Sequence, residues 1–236
     1  MKKCYYSSIK EVVDLLNISN VPYLILRNYE NLLNDEIYVS GHEDIDLLCE
    51  KSEDIVRVLN AEQSDFHKKG LVKDRTHYYI YIANKKVDLD LRHLGDGYYC
   101  EQWERDMLRT RVLYNGFYVP NKGDYFYSLT YHAILQKKVL TEEYKGRLWT
   151  MAKELQISLE TKEEQTFIKA LEKFMSNKGY VFTYTSDFYI PLQFQKVRKQ
   201  MVVIDCRLQF QHFLFHTKVR FIEALVKVKH LLLMKK

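Results

Sequence analysis

Asp44-Ile45-Asp46-Leu47-Leu48-Cys49 and, further along, Lys85-Lys86-Val87-Asp88-Leu89-Asp90-Leu91-Arg92 are the stretches on which the reading of this chain turns. Side chains at i and i+2 of a strand leave from the same face. Asp44 and Asp46 therefore point together while Ile45 and Leu47 enter a core, and Asp88, Asp90 and Arg92 share a face opposite Val87, Leu89 and Leu91. Carboxylates within ~5 Å of one another repel by about 3 kcal/mol per pair at an effective dielectric of about 20, and like charges opposed across a sheet destabilise it. A divalent cation turns that cost into a binding site. Oxygen-only ligands around an open position suit Mg²⁺ or Mn²⁺, completed by water and substrate phosphate. Two such ions would clamp the attacking and leaving oxygens of an in-line phosphoryl displacement.

Outward from these strands, residues 7–17 open on Ser7 or Ser8 as a cap and carry Ile9, Val12, Val13, Leu15 and Leu16 at helical spacing. Pro22 precedes a short apolar run that predicts a strand ending near Arg27. A strand over 44–49, a helix over 52–62, and a hairpin of 76–83 with 85–92 across Asn84-Lys85 follow. From Gly123 the pattern turns helical, with helices expected over 125–139, 141–156 and 162–176. An aromatic, strand-like stretch covers 180–192, and a basic helix runs from about Arg207. The expected fold class is α+β: a small mixed sheet with flanking helices over 1–121, then a mainly helical domain over 122–236.

At the acidic strands the chain resembles the polymerase-beta-like nucleotidyltransferase superfamily. Its signature is a helix, a strand into a Gly-Ser turn, Asp-x-Asp, and a third Asp on a later strand. The resemblance implies Asp44 and Asp46 as the first pair and Asp88 or Asp90 as the third carboxylate, with Asp88 favoured because Lys-Lys-Val-Asp-Leu looks like the family's apolar-Asp-apolar strand. It further implies Mg²⁺ (or Mn²⁺) on Asp44, Asp46 and Asp88, with Asp88 helping to deprotonate the acceptor. In place of the Gly-Ser turn stand Leu26-Arg27-Asn28-Tyr29. Arg27 offers a planar fork for a phosphate and Asn28 a polar contact. Gly41-His42 is a second candidate binding turn, Gly41 permitting close backbone approach. The strings Leu26-Arg27-Asn28-Tyr29-Glu30-Asn31-Leu32 and Gly41-His42-Glu43-Asp44-Ile45-Asp46 resemble a nucleotidyltransferase-like branch encoded with bacterial surface-polysaccharide genes. Weaker similarity continues through residues 129–138 and 174–180.

Further candidates for substrate binding are Arg92, which could equally balance the acids beside it, and His132, Lys137 and Lys138 on the first helix of the second half. The tyrosines and phenylalanines around 78–81 and 117–127 are more at home in a core than as a base platform.

Three prolines, eight glycines and no biased segment leave no disordered linker. Four widely spaced cysteines form no C-x-x-C pair, which argues against zinc or a disulfide framework and fits a cytoplasmic, reducing setting. The first residues lack the apolar stretch of a signal peptide, and no run reaches the roughly 18 apolar residues of a membrane span. Net charge is +5, and residues 217–236 hold six bases against one acid, so the remainder is neutral. No nucleic-acid partner is expected, because phosphate tracking needs basic groups spread over the body of a domain. That basic, apolar tail suits peripheral contact with the inner face of a cell membrane.

The expected activity is Mg²⁺-dependent transfer of a nucleotidyl or substituted phosphoryl group from a nucleotide donor to a hydroxyl of a sugar or glycan acceptor, which a lipid carrier could bear, in surface-polysaccharide synthesis. Two alternatives stand beside it: a glycosyltransferase using Asp-x-Asp to hold a metal, and a non-catalytic nucleotide- or glycan-binding module of the same fold.

Overall fold

A computed structural model describes residues 5–30, 32–34, 44–64 and 76–233. The elements run β1 (Tyr5–Tyr6), α1 (Ile9–Ile18), β2 (Tyr23–Ile25), β3 (Asp44–Cys49), α2 (Ser52–Leu59), β4 (Glu62–Gln63), β5 (His77–Ile82) and β6 (Lys85–His93). There follow α3 (Glu101–Thr110), β7 (Val112–Tyr114), β8 (Phe117–Val119), α4 (Lys122–Leu135), α5 (Glu142–Glu154), α6 (Glu164–Lys178) and α7 (Cys206–Leu233). The fold is α+β, with a small mixed sheet first and a mainly helical second half, as the sequence predicts.

The sheet has the order β1-β5-β6-β3-β2, with β4 on β5. β3 pairs parallel to β6, while β2 runs antiparallel to β3 and β5 antiparallel to β6. Each face packs on its own cluster. One takes Ile45, Leu47, Cys49, Val87, Leu89 and Leu91 against Ile9, Val12, Val13 and Leu16 of α1 and Ile55 and Leu59 of α2. The other takes Leu24, Leu26 and Leu48 against Trp103 and Met107 of α3 and against the apolar faces of α4, α5 and α6. Asp44, Asp46, Asp88 and Asp90 alternate with the first set, so they lie on the face that the helical half covers.

Local chemistry sets the boundaries. Ser8 caps α1 by accepting from the Glu11 amide. α2 stops at Asn60, which takes the left-handed conformation, short of the expected end at 62, and Glu62–Gln63 pairs with β5. The hairpin turn is Ala83-Asn84, both at positive φ, one residue earlier than predicted. Helix α3 and the β7–β8 hairpin occupy a stretch in which periodicity points to no element, although Asn115-Gly116 carries the two-residue turn signal.

The strand expected over 180–192 does not form. Phe182 makes one isolated bridge to Val202, and the Ser186 amide donates to the Asp96 carbonyl, so the segment wraps over α3 and α4 with Tyr180 and Phe182 buried and Tyr189 left exposed. α4 ends at Leu135, earlier than its pattern suggests, because Gln193 and Lys196 cap the carbonyls of Leu135 and Ile134. Among the described residues, no helix is long and apolar enough to cross a membrane.

Candidate functional site: an acidic sheet face under a basic cleft

In register, Asp44 stands beside Asp88 and Asp46 beside Asp90. Burial deepens along this face from the acids to Leu48 and Arg92, both inside the core. One carboxylate oxygen from each of Asp44, Asp46 and Asp90 falls within 4.8 Å of the other two. Asp88, the favoured third acid, stands aside: its carboxylate is 36% exposed and pairs with Lys86 at 3.1 Å. Alternation cannot separate Asp88 from Asp90, since both share the face. The covering helices and the next strand do, by leaving the inner acid in the cleft.

Asp90 carries the electrostatic conflict of the site. Burial pushes its carboxyl up to about 6 against the pull of Arg92, with Asp46 and Asp44 adding to the rise and His77 opposing it. Arg92 lies 3.5 Å from Asp90 and His77 lies 3.5 Å from its other oxygen. Arg92 is 2% exposed, donates to Asp187 at 2.9 Å and stacks over the Tyr98 ring at 4.3 Å. Its guanidinium thus faces two carboxylates while also lining the cleft.

Arg27 leaves the end of β2, and its guanidinium pairs with Asp46 and donates to the Tyr98 hydroxyl at 2.9 Å. Asn28 follows at φ 57°, a left-handed position that Asn tolerates well, so the chain turns here without the family's Gly-Ser. Tyr98 Oη also meets Nδ1 of His132 at 3.2 Å, and the same nitrogen meets Gln136 Oε1 at 3.2 Å. Burial, with Arg27 next, holds His132 well below its ordinary pKa, so the ring is a neutral hydrogen-bonding partner.

These residues line a cleft of about 310 Å³. Arg27, Asn28, Asp44, Asp46, Asp90, Arg92, His132, Lys137 and Lys138 all reach it, and Asp88 does not. Lys137 and Lys138 come from the turn after α4, since the helix has already ended. Gly41 and His42 lie outside the described residues. Sequence reasoning missed His77, Tyr98, Gln136, Tyr144 and the wall of Asp187, Tyr189, Ile190 and Pro191. Of these, Gln136 had a signal, standing four residues from His132 on the same helix face.

The donor set is what a hard divalent cation takes: carboxylate oxygens converging on one point, beside an opening large enough for water and phosphate. Without a cation the three acids stand close together, and Asp46 and Asp44 add to a rise at Asp90 that burial dominates. A small mixed sheet offering such a triad to a cleft with two lysines defines a class of site suited to phosphorylated ligands.

No protein-family model matches the chain, and no curated protein matches it significantly. Two solved structures are similar in part. JHP933 from Helicobacter pylori is 14% identical with a TM-score of 0.39, and 94% of each chain is covered. The antibiotic-resistance factor ANT(2'')-Ia is 16% identical with a TM-score of 0.35, covering 72% of this chain and 91% of that one. Likenesses this distant carry no argument, and the functional reading is built on the carboxylates and the cleft.

Proposed function

We propose that the chain is a nucleotidyltransferase of the polymerase-beta-like kind. It moves a nucleotidyl or substituted phosphoryl group from a nucleotide donor to an acceptor hydroxyl, with Mg²⁺ (or Mn²⁺) held by Asp44, Asp46 and Asp90. The observation that carries this is the convergence of three carboxylates within 4.8 Å on two parallel strands facing a basic cleft. The cation, when bound, polarises the phosphoryl oxygens and offsets charge on the leaving group.

The chain's own residues do the rest. Lys137 and Lys138 meet donor phosphates at the cleft wall. Arg27 fixes the Asp46 carboxylate from behind and is itself held by Tyr98, so it positions an acid while keeping one edge near the cleft. Asp90, which reaches the cleft beside His77 and Arg92, takes the proton of the attacking hydroxyl. We give it that role in place of Asp88, which pairs with Lys86 outside the cleft lining. The acceptor is assigned as a sugar or glycan hydroxyl of bacterial surface polysaccharide on the strength of the resemblance at residues 26–32 and 41–46.

The test is a thermal-shift screen of nucleotides, CDP-alcohols and sugar nucleotides with and without Mg²⁺, followed by product analysis. A ligand confined to the folded state raises its stability by mass action. Release of pyrophosphate or nucleoside monophosphate supports the proposal. Release of nucleoside diphosphate from a sugar nucleotide would instead make this an Asp-x-Asp glycosyltransferase. Magnesium-dependent binding with no turnover points to a binding module, a reading favoured by one feature, the Arg27 cation already seated on Asp46.

A further inference from the structure

Away from the cleft, α7 turns an apolar face to solvent. Phe210, Phe213, Leu214 and Phe221 are 60%, 64%, 50% and 65% exposed. Spacings of three, four and eleven residues place them on one side of the helix, and Val203 and Ile204 add exposed apolar surface just ahead of it. The opposite side is firmly attached. Gln209 donates to the Tyr184 hydroxyl at 2.7 Å, His212 meets the Thr185 carbonyl at 2.8 Å, and Phe215 packs on Tyr189 with ring centroids 4.7 Å apart. The inner face of α7 thus holds the segment that walls the cleft.

Charge identifies what the outer face meets. At 100° per residue, Arg207 and Lys218 flank the stripe on one side and Arg220 on the other. No acid occurs from Cys206 to Phe221. We propose that this face seats the protein on an anionic lipid bilayer. The phenylalanines enter the headgroup–acyl boundary and the flanking cations meet lipid phosphates. A second copy of the chain joined across the same stripe would bring cation rows against each other. The inference rests on the transferase reading in one respect, that a membrane-borne acceptor is delivered to the wall α7 holds. Vesicle binding itself needs none of the cleft carboxylates.

The full chain is to be sedimented with vesicles of phosphatidylglycerol in phosphatidylcholine and with phosphatidylcholine alone, at low and high salt. Two double variants, Phe213→Asp with Phe221→Asp and Lys218→Glu with Arg220→Glu, change exposed side chains and leave the packed face alone. Partition into the anionic vesicles is expected, weakened at least tenfold by either double variant and by added salt, with Mn²⁺ binding unchanged. The proposal is overturned if the protein ignores anionic vesicles or if the variants bind as the parent does. It is also overturned if the stripe forms a dimer that the aspartates dissolve, with no vesicle binding. Vesicle binding that persists in a protein unable to take up Mn²⁺ would sink the transferase reading and leave this one supported.

Discussion

Asp90 stands where burial and charge disagree, and its titration makes that measurable. Its folded pKa of about 6 lies above the ordinary 3.8. Between about pH 4 and 6 the folded form keeps a proton that the unfolded chain gives up. Stability of the metal-free protein therefore falls as pH rises through that window and levels off above it, by at most about 3 kcal/mol. Denaturant unfolding of parent and Asp90→Asn at pH 4.5 and 7 checks this. The difference between them should shrink toward acid, and parallel pH profiles would refute the assignment. Metal uptake gives a second check. Asp44→Asn, Asp46→Asn and Asp90→Asn should each weaken Mn²⁺ binding by at least roughly tenfold to a hundredfold, the scale that even supporting contacts to a metal command. Asp88→Asn should change it little, and a large loss there would return Asp88 to the site. The acids were legible in the sequence because strand alternation is a local property. The choice between Asp88 and Asp90 was not, because it depends on which acid the covering helices enclose. Asp187 was invisible for a plainer reason: it meets Arg92 across 95 residues of chain.

At the scale of elements, the wall of the cleft depends on a close backbone approach. Gly97 sits at φ +75°, and a Cβ there would lie 2.2 Å from the Tyr184 carbonyl oxygen. Neither the conformation nor the contact admits a side chain. Gly97→Ala should cost roughly 2 to 4 kcal/mol in denaturant unfolding. It should also speed amide exchange at Ser186, whose N–H is held by the neighbouring Asp96 carbonyl. A loss under about 0.5 kcal/mol would mean that the approach is easily relaxed. Helices with an apolar stripe were readable, but α3 was not, since its stripe shrinks to Trp103, Met107 and Leu108 amid charges. The aromatic run at 180–192 misled in the opposite sense. Its residues have strand propensity, but their backbone partners are loop and turn groups rather than a strand edge.

For the whole molecule, the division of the chain at 121/122 and the division of its core do not coincide. The cluster under the helical half draws Leu24, Leu26 and Leu48 from the sheet and Trp103 from α3, where Trp103 stacks on Tyr180 at 5.7 Å. Tyr125 of α4 in turn enters the cluster on the far face. A segment cut at 122 would leave α4 and α6 without the surface that closes over them, and an apolar face of that size is not left in water by a stable fold. The full chain should unfold in one transition whose calorimetric and van't Hoff enthalpies agree. Residues 122–236 produced alone should keep helical far-ultraviolet dichroism, lose fixed aromatic packing and bind hydrophobic dyes. A fragment that melts cooperatively with native-like near-ultraviolet dichroism would establish an independent domain. Because the acids face the shared interior, such independence would also require the cleft to be assembled by docking of two finished bodies rather than by folding. Metal affinity would then depend on fragment concentration when 1–121 and 122–236 are mixed, a dependence that clusters drawing on both halves of the chain do not predict.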